Sequence, residues 1–266
     1  MAPASFFVAS IGNPGQAYYN TLHSAGHILL RTFAELMNAA EFTANPQLAH
    51  GLTTETYLPR SQSRLTLWQS PSYMNTSGVS LAKAYKNWLQ QENMLLPSLP
   101  IHTTGKPKNK KQQPPQSKSK RTMNLIILHD ELEKPYGNLL VRYGGADTSS
   151  RGHRGLQSVV KCFVDKNLLP TGDKSKSLST SSLPSADAFM RLSIGVGRPV
   201  SRDSASVADY LISQISKAQH DRLAARAINL RELLEIEISR INQARELEEE
   251  ELAQRNQSLT ETGGVV

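Results

Sequence analysis

Along this chain, short unbroken apolar runs end at glycine, proline or a polar cluster, and most lead into a stretch with apolar residues every three or four positions. SFFVASIG (5–12), RLTLWQS (64–70), MNLIILHDEL (123–132) and FMRLSIGVGRP (189–199) read as buried strands. TLHSAGHILLRTFAELMNAA (21–40) carries helical spacing, with Ile28, Phe33, Leu36 and Met37 able to share a face. SGVSLAKAYKNWLQQ (77–91) reads as a helix opened by a capping serine, Ser77, and GHRGLQSVVKCFV (152–164) as a further helix. Near the end, Leu223, Ala227, Leu230, Leu234, Ile238 and Ile241 form an apolar stripe that runs into an acidic block. The stripe predicts a long C-terminal helix over 217–257, packed on the core rather than forming a short coiled coil with a partner, for which it is too short, and followed by a disordered tail at 258–266.

Buried strands alternating with helices imply an α/β fold: a single domain over 1–216 with a mostly parallel twisted sheet and helices on both faces. The length of 266 residues and 38% hydrophobic content suit a globular chain. No apolar run nears the roughly 20 residues of a membrane span, and no secretory segment opens the sequence. The single Cys162 excludes an intrachain disulfide and a multi-cysteine zinc site.

Charge refines the organisation. The net charge of +7 is concentrated in residues 97–122, which hold seven basic and no acidic side chains among Pro, Gln and Ser. Such a composition buries too little apolar surface to order itself and reads as a disordered insertion. A solvated loop is the favoured reading and a salt-dependent nucleic-acid tether the alternative, since no aromatic side chain is interleaved with the lysines. A second flexible insertion is expected over 166–187.

In such folds ligands bind beyond the carboxyl ends of the strands. The first strand leads to Asn13, the strand near Leu65 runs on to Asn75, and the strand of MNLIILHDEL ends at Asp130. His23 lies near the start of the first helix, on the same side. The opening loop has neither the dinucleotide fingerprint nor a P-loop ending. A histidine oriented by a carboxylate could instead act as a base, with asparagine amides as donors to a carbonyl. No nucleophile elbow or metal-ligand set accompanies them, so the chemistry implied is direct attack of an activated water. From spacing alone, structural roles for His23 and Asp130 stay open.

SIGNPGQAYYNTLHSAGH, PSYMNTSG, ILHDELEKPYGNLLVR, RGHRGL and RLSIGVGRP occur in the order seen in bacterial-type peptidyl-tRNA hydrolases, and the chain resembles that family from Phe6 to about Ser213. The resemblance implies hydrolysis of the ester between a peptide and the 3′ ribose of tRNA, recycling tRNA without a cofactor or metal. It casts His23 as catalytic base, Asp130 as the residue that keeps it basic, and Asn13 as a reader of the blocked peptidyl amide. Asn75, with Tyr73 and Met74, would hold the peptide backbone. Tyr18 would lie near the 3′ end of the tRNA and Arg142 near its 5′ phosphate. The partner is peptidyl-tRNA, held mainly by its backbone; a monomer in the cytoplasm or mitochondrion is expected, with no membrane partner. The family's Arg-His-Asn becomes Leu22-His23-Ser24 here, Arg154 replaces an asparagine, and the loop GGADTSSRGHRG is longer. Arg154 could pair with a phosphate or a substrate carbonyl. A non-catalytic RNA-binding relative of the same fold is the alternative.

Overall fold

The structure is a computed structural model that describes residues 4–95, 124–145, 149–150, 152–169 and 189–262. The basic segment 97–122 lies wholly outside the described residues, as does most of 166–187. Seven strands form one sheet in the order β2-β3-β4-β1-β5-β7-β6. They are β1 Ala4–Ser10, β2 Thr43–Asn45, β3 Gly51–Leu58, β4 Ser63–Gln69, β5 Leu125–Glu131, β6 Leu139–Gly144 and β7 Phe189–Gly195. The central four, β4-β1-β5-β7, are mutually parallel and are the four apolar runs expected from the sequence. The flanking β2, β3 and β6 add antiparallel edges that the apolar pattern did not indicate.

Alternation along the strands sends side chains to two separate cores. Phe6, Val8, Leu65, Leu67, Ile126 and Leu128 pack under α1 (Ala25–Leu36) and α6 (Ala227–Thr262). Phe7, Ala9, Trp68, Leu125 and Ile127 face α2 (Ser77–Leu95) and α3 (Arg154–Asp165). The helices α4 (Ser204–Ile212) and α5 (Lys217–Ala224) complete the chain. Ser77 does not cap α2: a 3-10 turn, Met74–Thr76, feeds directly into the helix, and the Ser77 hydroxyl donates to Tyr73 O instead.

All six residues of the C-terminal stripe are buried. The stripe is carried by two helices rather than one, because the chain breaks after Ala224 before α6 begins. The second helix continues to Thr262, past the expected end at 257. Its Glu235 is buried at 1% exposure and accepts hydrogen bonds from the backbone N–H groups of Arg60 and Ser61. Asn242 donates to Ser61 O and Ser63 Oγ, so α6 braces the β3–β4 turn with polar as well as apolar contacts. The start of the expected second insertion is also ordered: Leu169 is buried and its N–H bonds to Phe163 O. Among the described residues no helix is long and apolar enough to cross a membrane.

Truncating Leu234, fully buried under the sheet, should remove transfer energy and leave a cavity. Leu234→Ala is expected to cost about 3 kcal/mol in urea unfolding, which would show α6 to be part of the folded unit; a loss below about 0.5 kcal/mol, the level of a surface substitution, would show it to be an appendage.

Candidate active site

A cleft of about 530 Å³ opens beyond the carboxyl ends of the central strands. Asn13, His23, Met74, Asn75, Asp130 and Arg154 all line it. They arrive from five different places in the chain. Asn13 follows β1, Met74 and Asn75 form the turn after β4, Asp130 is the penultimate residue of β5, and Arg154 opens α3.

His23 sits in a 3-10 turn, Leu22–Ser24, just before α1, with its two neighbours buried. The turn is braced from outside: Leu22 N donates to Ser213 O, and Ile215 N to Asn20 O. Behind it, α1 lies almost on β5, because a Cβ at Gly26 would fall 2.8 Å from Leu128 O. That close approach permits the contact on which the site turns. His23 Nδ1 lies 3.0 Å from Asp130 Oδ1.

Asp130 is shared. His153 Nε2 lies 3.2 Å from the same carboxylate oxygen, while His153 Nδ1 accepts the Leu156 N–H at the start of α3. The cap fixes the tautomer, so His153 Nε2–H is the donor. His129 meets the His153 ring edge-on, 5.0 Å between centroids. Its Nδ1 donates to Asp130 O and its Nε2 faces Ser193 Oγ. Burial disfavours the Asp130 anion, but the two histidines outweigh it and hold the carboxyl well below the usual carboxylate range. Burial also opposes protonation of His23; attraction and hydrogen bonding from Asp130 outweigh it, and the pKa lies above its ordinary value. His129 and His27, fully buried, are pushed down to about 3 and stay neutral.

Asn13 Oδ1 accepts the Met74 N–H at 2.9 Å, which ties the β1 loop to the β4 turn and leaves the Asn13 amide nitrogen as a donor. Asn75 is exposed in the cleft wall. Tyr18 and Tyr73 meet edge-on at 6.1 Å, and neither lines the cleft. Arg142 lies apart, in the edge strand β6, opposite Arg191 in register and outside the cleft lining. The residue that the sequence reading left without a role is His153. Its signal was the histidine of the glycine-rich helix start, but only the fold shows that this side chain reaches Asp130.

The peptidyl-tRNA hydrolase family model matches residues 7–96, the stretch that supplies Asn13, His23, Met74 and Asn75. A peptidyl-tRNA hydrolase of Syntrophotalea carbinolica is 26% identical over 230 residues, covering 85% of this chain and 88% of its own length. A probable peptidyl-tRNA hydrolase of Schizosaccharomyces pombe is 26% identical, over 79% of this chain and 71% of its own. The chain is thus similar to peptidyl-tRNA hydrolases over most of its length. Its fold also matches a crystal structure of a peptidyl-tRNA hydrolase from Acinetobacter baumannii, with a TM-score of 0.58 at 19% identity over 92% of this chain and 93% of the other.

Removing one donor should expose the cost of a buried carboxylate. His153→Phe deletes the His153–Asp130 bond and the acceptor of Leu156 N–H. It is expected to lower stability by about 2 kcal/mol in urea unfolding; an unchanged midpoint would mean that the contact carries no energy.

Proposed function

We propose that this protein hydrolyses the ester joining a peptide to the 3′-terminal ribose of tRNA, by direct attack of a water activated by His23. The observation that carries this reading is the His23–Asp130 contact at the floor of the cleft. Because Nδ1–H is committed to Asp130, the Nε2 lone pair is left for a water in the cleft.

In the reaction, His23 Nε2 takes the proton of the attacking water as its oxygen adds to the ester carbonyl. Asp130 stabilises the imidazolium and holds the ring in one tautomer. The amide nitrogens of Asn13 and Asn75 supply donors for the carbonyl oxygen as its charge grows. The proton on His23 is then given to the departing ribose oxygen, which restores the base and releases peptide acid and tRNA. An ester leaves readily, so one oriented base and a few donors suffice without a covalent intermediate.

Met74 and the exposed Tyr73 would lie along the peptide, Tyr18 at the approach of the tRNA 3′ end, and Arg142 on the tRNA backbone farther out. Arg154 adds a cation beside the reacting groups. The reading extends to a monomer acting in the cytosol or the mitochondrion. A binding-only relative is not favoured, because base, carboxylate and both asparagines meet in one cleft.

Two outcomes test this reading. His23→Ala should reduce cleavage of N-acetyl-aminoacyl-tRNA by about 10³-fold while tRNA binding persists; turnover near the wild-type rate would remove His23 from the mechanism. The neutral form of His23 is the active one, so the wild-type rate should fall as pH drops through its raised pKa, above 6.5. In Asp130→Asn the attraction is gone and burial dominates, so that acid limb should move to lower pH while the plateau falls by about 10³-fold or more. An acid limb that stays in place would detach Asp130 from the basicity of His23.

A further inference from the structure

The cleft contains one cation in an unusual position. Its charged lining is Asp130, Glu131, Glu133, Arg154, Arg198 and Arg202, with His23, His129 and His153 as the titratable rings. Asp130 is engaged by His23 and His153, and Glu133 by Arg198. The Glu131 carboxylate accepts the Glu133 N–H. Arg154 is exposed and, among the described residues, has no carboxylate within ion-pair distance.

Its backbone is pinned at the reacting end. The preceding residue, His153, bonds to Asp130. The following residue, Gly155, packs so closely that a Cβ would fall 2.5 Å from Met74 Sδ and 3.1 Å from Ile11 Cδ1. Residue 154 is therefore held between the His23–Asp130 pair and the Met74–Asn75 turn. It opens the twelve-residue helix α3, whose positive end faces the same way.

Resting on the hydrolase reading above, the substrate and its main competitor differ at one place. In a peptidyl ester the α-nitrogen, two bonds from the scissile carbonyl carbon, is a neutral amide. In an aminoacyl ester it is an amine, an ammonium below a pKa of about 7.7–8.0 for an ordinary α-amino group. The carbonyl must approach His23, and Arg154 lines the same cleft, within reach of a group two bonds away. We propose that Arg154 is a specificity-determining residue that excludes aminoacyl-tRNA by repelling its α-ammonium. An asparagine in this position could discriminate only by hydrogen bonding; a guanidinium discriminates by charge, at a site where the wrong ligand brings like charge.

The test uses one tRNA carrying three esters: N-acetyl-phenylalanyl, phenylalanyl, and phenyllactyl, in which an uncharged hydroxyl replaces the amine. The wild-type protein should cleave the phenyllactyl ester at least about tenfold faster than the phenylalanyl ester near pH 6.5, a gap of about 1.4 kcal/mol. The gap should narrow toward about pH 9 as the ammonium loses its proton. Titration of His23 affects both esters and cancels in their ratio. Arg154→Gln should close most of the gap, and Arg154→Lys should keep it. The ratio is taken within each variant, so a partial loss of folding does not alter it, and cleavage of the acetylated ester reports the folded protein. A gap unchanged in Arg154→Gln, or absent from the wild type despite cleavage of the acetylated ester, would overturn the assignment. Failure of the wild type to cleave any of the three would overturn the hydrolase reading, and this proposal with it.

Discussion

A carboxylate with almost no access to water must be surrounded by donors, and that requirement organises this molecule. Asp130 is 2% exposed, and two imidazoles reach one of its oxygens. An ionised group in that setting is tolerated only when it is paired and hydrogen-bonded. The sheet must therefore place β5 centrally, while the turn before α1 and the first turn of α3 come within about 3 Å of its end. Gly26 allows the first approach, and the cap that His153 gives to Leu156 N–H fixes the second. The basicity of His23 is then a by-product of satisfying the anion: the charge that needs donors is the charge that raises the His23 pKa.

The other buried histidines show what Asp130 contributes. His27 stands one helical turn from His23 and faces Ser10, with no carboxylate near, and burial pushes it down to about 3. His129 has the Asp130 carbonyl oxygen as its partner, yet burial and the neighbouring His153 leave it neutral. Of His23, His27 and His129, only His23 combines a carboxylate partner with a place in the cleft lining. The second half of the structure serves the same geometry from a distance. Residues 213–215 brace the His23 turn, and α6 locks the β3–β4 hairpin through buried Glu235.

The central strands and the helices of the sheet were legible because a strand buried on both faces must be continuously apolar, as in LIILHDE. The flanking strands were not. GLTTETYL in β3 mixes buried and exposed positions without regular alternation and is rich in threonine, so its pairing with β4 is not announced by an apolar run. β6 is half-buried from Leu139 to Tyr143, which gives no periodic signal at all. The convergence of Asn13, His23, Asn75 and Asp130 followed from strand order and polarity alone, because parallel strands deliver their ends to one side. His153 did not follow: its ring does two jobs, capping α3 with one nitrogen and reaching Asp130 with the other, and the local sequence displays only the first. The stripe from Leu223 to Ile241 was read correctly as core, but the break between α5 and α6 was not, since the apolar spacing continues across it unchanged.

The most direct test of the account is an NMR titration of the histidine ring nitrogens in the unliganded protein. His23 should titrate above 6.5 as the Nε-protonating ring of a pair anchored through Nδ1–H, while His27 and His129 remain neutral throughout the same range. A His23 midpoint at or below 6.5 would contradict the claim that the buried Asp130 carboxylate makes this histidine a base.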